Sequence, residues 1–152
     1  MDRPRLARAG GQLVVDVDRL LSPEQRANMR VDQIKEKYGR LLVYWWCEGL
    51  DPSTRQAVKA LVDAATKTSL RTCQRCGEPG RCFGVGGVEG WYATLCQGHL
   101  AEEIRSRGRP VKVAVDDEGT TISPAPGETP ADIAGRAWQA AEERSRSGGA
   151  AT

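Results

Sequence analysis

Apolar positions recur at spacings of three and four residues in three stretches of the chain. Each stretch is opened by a polar residue followed by proline. Ser22-Pro23-Glu24-Gln25 has the spacing of a capping box, serine at the N-cap and glutamine three residues on. Behind it Ala27, Val31, Ile34 and Tyr38 fall on one helical face that ends near Gly39. Asp51-Pro52 opens a second stretch with the stripe Ala57, Val58, Leu61, Val62 and Ala65. Thr129-Pro130 opens a third, with Ile133, Ala134, Ala137, Trp138 and Ala141. Three amphipathic helices are predicted.

Leu41 to Cys47 is an unbroken apolar run, rich in β-branched and aromatic residues and too short for a typical helix, so it reads as a strand. Trp45 and Trp46 are adjacent on it and must point to opposite faces, one into the core and the other under a helix or onto a sticky surface. Cys47, at its end, reads as a buried thiol. Val111, Val113 and Val115 alternate with Lys112 and Ala114 and predict a further strand, and Leu13 to Val17 a weaker one. Asp116 to Glu128 is polar with glycine and proline and reads as a linker, its Asp116-Asp117-Glu118 run as a solvated turn. The expected organisation is a helix-strand-helix part over 1–70, a metal module over 71–110, a strand, linker and C-terminal helix over 111–145, and a disordered tail over 146–152.

The most specific chemistry lies between the second and third helices. Cys73 and Cys76 form a C-x2-C pair, and after nineteen intervening residues Cys96 and His99 form C-x2-H. Two such pairs suit a tetrahedral zinc ion, because each chelates from one turn of backbone. Gly77 suits the tight turn that aims backbone N–H groups at the sulfurs, and the single histidine of the chain falls at the fourth ligand position. Four protein ligands close the coordination shell, so the zinc is read as structural. Between the pairs, Arg81–Val85 and Trp91–Leu95 read as a β-hairpin about Gly86-Gly87, and His99 to Arg105 as a helix. Knuckle, hairpin and helix in that order is the treble-clef arrangement; a zinc ribbon is the alternative. Cys82, inside the hairpin, is the one residue that could replace an assigned ligand. The fold class expected is α+β, a small mixed domain with a treble-clef-like or ribbon-like zinc module.

Asp32-Gln33-Ile34-Lys35-Glu36-Lys37-Tyr38-Gly39, Leu42-Val43-Tyr44, Thr72-Cys73 through Cys76-Gly77-Glu78-Pro79-Gly80, Gly90-Trp91 and Thr94-Leu95-Cys96 with His99 together resemble a family of small, uncharacterised bacterial and bacteriophage proteins of zinc-finger-like pattern. The resemblance covers about residues 31–100. Members usually carry a second glycine where Arg40 stands here, and smaller polar residues in place of Trp46-Cys47. It implies a zinc-binding module and a phage or mobile-element setting, and supplies no activity.

Composition narrows the function classes. Hydrophobic residues are 39% of 152, enough for a modest core that a bound metal would reinforce. The apolar run Leu41–Cys47 is far shorter than the ~20 residues of a membrane span, and no apolar stretch follows the basic N-terminus, so a cytoplasmic protein is expected. Residues 1–110 carry 18 basic and 13 acidic side chains and residues 111–152 carry 4 and 7, a balance that permits contact with nucleic acid without demanding it. An enzyme is disfavoured: the sole histidine is committed to the metal, and no phosphate loop or nucleophile elbow is present. The favoured expectation is a non-enzymatic binding protein acting by protein–protein interaction, inhibition of a host defence complex being the role its implied setting suggests, with neither membrane nor small-molecule substrate. The alternative is DNA or RNA binding. Arg71, Arg75 and Arg81 surround the first cysteine pair, Arg105 and Arg107 end the metal helix, and Trp45 and Trp46 supply aromatic contact to either kind of partner.

Overall fold

The computed structural model describes residues 6–116 and 118–148, which fall into two compact units, Met1–Leu70 and Arg71–Thr152. The fold is mixed helix and sheet. Among the described residues no helix is long and apolar enough to cross a membrane.

The first unit contains α1 (Leu6–Leu20), α2 (Pro23–Asn28), β1 (Met29–Lys37), β2 (Arg40–Cys47) and α3 (Pro52–Ser69). Two expectations fail here. Leu13 to Val17 lies in a helix, because Leu13, Val17 and Leu21 are buried at four-residue spacing while Val14 and Val15 face outward. The capping box at Ser22 forms as predicted, Gln25 N–H donating to Ser22 Oγ (3.2 Å) and Ser22 N–H to Gln25 Oε1 (2.9 Å). Its helix nevertheless stops after six residues, and the chain continues as an antiparallel strand.

A β-bulge accounts for the difference. Val31 pairs with Trp45 and Gln33 with Tyr44, so Asp32 is an extra residue in β1. It lets Val31 and Ile34 share the inward face although they are three residues apart, a spacing that imitates a helix. The predicted helix end at Gly39 is instead the hairpin turn. Tyr38 (φ 55°) and Gly39 (φ 76°) both adopt the left-handed region that a two-residue type I′ turn requires. Glu36 Oε1 secures it by accepting from Gly39 N–H at 2.7 Å.

On β2, Leu41, Val43, Trp45 and Cys47 point inward. Leu13, Val17, Leu21 and Val58 form the core, with Val43, Trp45, Leu61 and Val62 packed on it. The Leu41 backbone is tied to α3 through hydroxyls: Leu41 N–H donates to Ser69 Oγ (2.9 Å) and Thr66 Oγ1 to Leu41 O (3.1 Å). A cavity of about 200 Å³ remains between α1 and the sheet, lined by Val17, Leu21, Val31, Ile34, Val43 and Trp45 among others.

The second unit contains β3 (Arg81–Val85), β4 (Trp91–Leu95), α4 (Gln97–Ser106), β5 (Val113–Ala114), β6 (Thr121–Ile122) and α5 (Pro130–Gly148). Its sheet order is β4-β3-β5-β6, all antiparallel. The core joins Phe83, Val85 and Leu95 of the hairpin to Leu100 and Ile104 of α4 and to Ile133, Ala134, Ala137 and Ala141 of α5. The alanines on α5 let α4 approach closely.

The predicted strand at 111–115 shortens to two residues, and the segment expected to be a linker is structured. It carries β6, and Asp116 Oδ1 accepts from Thr120 N–H at 2.8 Å while Asp116 Oδ2 meets Arg144 Nε at 2.7 Å. Helix α5 continues through Gly148, beyond the start of the expected tail, whose last residues 149–152 lie outside the described residues.

Candidate metal centre

Residues 71–80 form a knuckle closed by backbone hydrogen bonds. Cys73 N–H donates to Glu78 O (2.8 Å), Gly77 N–H to Cys73 O (2.8 Å) and Gly80 N–H to Arg71 O (2.9 Å). Gly77 takes the left-handed conformation (φ 77°), which turns the chain back beneath the sulfurs. Gly80 is required for a different reason: a Cβ there would sit 2.7 Å from Cys73 N. Gln74 N–H donates to Thr94 O at 2.9 Å, fastening the knuckle to the end of β4. Cys96 follows β4 directly as the N-cap of α4, and His99 lies in that helix's first turn.

Cys73, Cys76, Cys96 and His99 thereby converge, their ligand atoms all within 4.8 Å of one another. His99 Nδ1 lies 3.4 Å from Cys73 Sγ and 3.2 Å from Cys96 Sγ, and Cys76 Sγ lies 3.7 Å from Cys96 Sγ. These separations are too long for S–S bonds of about 2.05 Å and suit the edges of a small coordination polyhedron. The group can hold a metal ion. Cys73 is fully buried, the other three partly so. Cys82 lies on β3 opposite Thr94 and is not part of the group, and Cys47 is a buried thiol of the first unit.

The thiols do not share charge equally. Burial opposes ionisation of Cys73, but backbone N–H groups of Cys76, Cys96 and Arg75 outweigh it and pull the thiol down to about 6. Cys76 is pushed up to about 11, first by burial and then by the neighbouring sulfurs of Cys73 and Cys96. One thiolate is thus welcomed and a second resisted, which a cation between the sulfurs would relieve. Around the cluster, His99 Nε2 faces Glu102 Oε2 at 3.9 Å. Arg75 is paired with Glu103, which also receives Arg107 at 2.9 Å, so the knuckle and α4 are clasped by side chains as well.

The arginines singled out in the sequence separate into two kinds. Arg75 and Arg107 converge on Glu103, and Arg81 lies over the Trp138 ring with its guanidinium 2.6 Å from Glu142. Arg71 and Arg105 are exposed. Trp45 and Trp46 lie in the other unit, Trp45 inward against the core and Trp46 outward beneath Arg30. Sequence reasoning missed the Arg75–Glu103–Arg107 clasp, whose only linear trace is the i, i+4 spacing of Glu103 and Arg107. Comparison of the chain with family models, with curated proteins and with solved structures finds no match.

Proposed function

We propose that Cys73, Cys76, Cys96 and His99 hold a structural zinc ion in a treble-clef-like module, and that the chain is a non-enzymatic binding protein acting through protein contact. The observation that carries the metal is the size of the cluster. Zn–S bonds of about 2.3 Å and Zn–N bonds of about 2.05 Å give tetrahedral S···S edges near 3.8 Å and S···N edges near 3.6 Å. The Cys76–Cys96 separation of 3.7 Å and the Cys73–His99 separation of 3.4 Å lie close to those values, and the Cys96–His99 separation of 3.2 Å is somewhat shorter. When bound, the zinc would link the knuckle to α4 and contribute folding energy. With all four positions taken by protein, no site is left for an activated water. Protein contact is favoured over nucleic acid at this module because its best-placed arginines are already engaged by Glu103 and Glu142. Trp91 and Val88 remain exposed about the hairpin as apolar contact residues.

Elemental analysis of the purified full chain tests the metal assignment. One zinc per chain is expected, with cobalt substitution giving a tetrahedral thiolate spectrum. Cys76→Ser should abolish stoichiometric binding, whereas Cys82→Ser should retain it. Full zinc content in the Cys76 variant would overturn the ligand set. Partner contact is tested by replacing Trp91 with alanine and following loss of a nuclease-resistant protein complex.

A further inference from the structure

The outward face of the β1–β2 hairpin combines exposed aromatic rings with cations, and neither is used by the metal centre. Tyr44 and Trp46 alternate with the inward Val43 and Trp45, so their rings project from the same face about 7 Å apart along the strand. Both are 49% exposed, and Tyr38 at the turn is 63% exposed. Each ring already has a cation against it: Arg30 lies 5.8 Å from the Trp46 centroid, Lys35 5.0 Å from Tyr44 and Lys37 4.9 Å from Tyr38. Arg40 adds a fourth basic residue on β2. Of the hairpin's carboxylates, Glu36 holds the Gly39 N–H, while Asp32 pairs with Arg30 at 2.6 Å and offsets part of that one cation's charge.

We propose that this face binds single-stranded RNA, with bases stacked on Trp46 and Tyr44 and phosphates held by Arg30, Lys35, Lys37 and Arg40. A base has a π-face that can take the place of the cation over each ring, and the displaced cation then meets the adjoining phosphate. Extended single strands offer unstacked bases, whereas a duplex hides its π-faces. Gln33 is the cross-strand partner of Tyr44 and shares its face, so its amide sits beside the ring as donor and acceptor for a ribose 2′-hydroxyl. Four cations with one directly paired acid give the charge complementarity that an apolar protein surface would not need. The face lies wholly in the first unit and is independent of the zinc reading.

The test is titration of the metal-loaded full chain with oligouridylate of about ten nucleotides, read by tryptophan fluorescence and by anisotropy of labelled RNA. Saturable quenching is expected, with affinity falling about 20- to 50-fold between roughly 50 and 200 mM salt for three to four phosphate contacts. Trp46→Ala should weaken binding about 5- to 100-fold, and Trp46→Phe should restore most of it. Lys35→Gln should weaken binding and flatten the salt slope. Circular dichroism of each variant checks that the exposed Trp46 and half-buried Lys35 positions leave the fold intact. Equal affinity for duplex RNA or for oligothymidylate would overturn the proposal, as would binding indifferent to Trp46→Ala. Displacement of the RNA by polyglutamate at matched charge would reassign the face to an acidic protein. Repeating the titration with chelator present separates this reading from the metal assignment, since failure of the latter leaves the RNA titration unchanged.

Discussion

Gly80 and Asp51 show how single residues set local geometry by different means. At Gly80 the constraint is steric, because any Cβ meets the Cys73 backbone, which cannot yield without moving a ligand. Gly80→Ala should therefore displace Cys73 and weaken metal retention in a chelator competition, although all four ligand residues are still present. At Asp51 the constraint is electrostatic. Its carboxylate caps α3, accepting from the hydroxyls of Ser53 (2.6 Å) and Thr54 (2.7 Å) and from Thr54 N–H (3.0 Å), and these bonds hold the carboxyl well below the usual carboxylate range. A folded pKa below the unfolded value of about 3.9 means the stabilisation is fully present above that pH. It fades as the pH drops below it and is gone once the folded pKa is passed. The stability gap between the native chain and Asp51→Asn should therefore be flat from neutral pH to about 4 and shrink below it, as followed by urea melts at stepped pH.

Among elements, those bounded by strong local chemistry were legible from sequence. Asp51-Pro52 and Thr129-Pro130 open α3 and α5 as expected, β2 follows its apolar run, and the β3–β4 hairpin and α4 fall where the cysteine pairs require them. The four candidate ligands were legible for the same reason, since C-x2-C and C-x2-H spacing is a local signature. Three elements were not, β6 among them, because the polar stretch that holds it reads as a linker. In α1, four apolar residues among five imitate a strand, and only burial at Leu13, Val17 and Leu21 reveals the helical face. In β1, the bulged Asp32 stretches the inward spacing from two residues to three, and no local rule distinguishes that from a helix. If the bulge is the cause, deleting Asp32 should be tolerated, because Val31 and Gln33 then become consecutive members of a regular ladder with the same faces. Deleting Lys35 should instead lose the cooperative melt of this unit, because Lys37 would slip opposite Leu41 on the inward face. Thermal circular dichroism of the two deletions distinguishes the outcomes.

Across the molecule, each unit has its own core, and only the second has a metal cluster among the described residues. Removing the metal should accordingly be felt unevenly. Hydrogen exchange after chelation should show loss of protection over 71–116 and 118–148, while α1, α3 and the β1–β2 hairpin keep theirs. Phe83 offers a metal-independent probe of the same unit. It is fully buried, with its ring 6.2 Å from that of Trp138, and Phe83→Ala should cost about 3–5 kcal/mol in that transition alone.

Cys76 and Cys96 have their sulfurs 3.7 Å apart, and that closeness has a second side. An oxidant that takes two electrons from the pair would join the sulfurs in an S–S bond of about 2.05 Å. With the proposed metal bound, two of its four ligands would then disappear in one event, and the ion would leave without any competitor for it. Reloading needs a reductant first and metal second. The oxidative history of its surroundings, and not only their metal supply, would then govern how many copies of the chain keep the second unit folded.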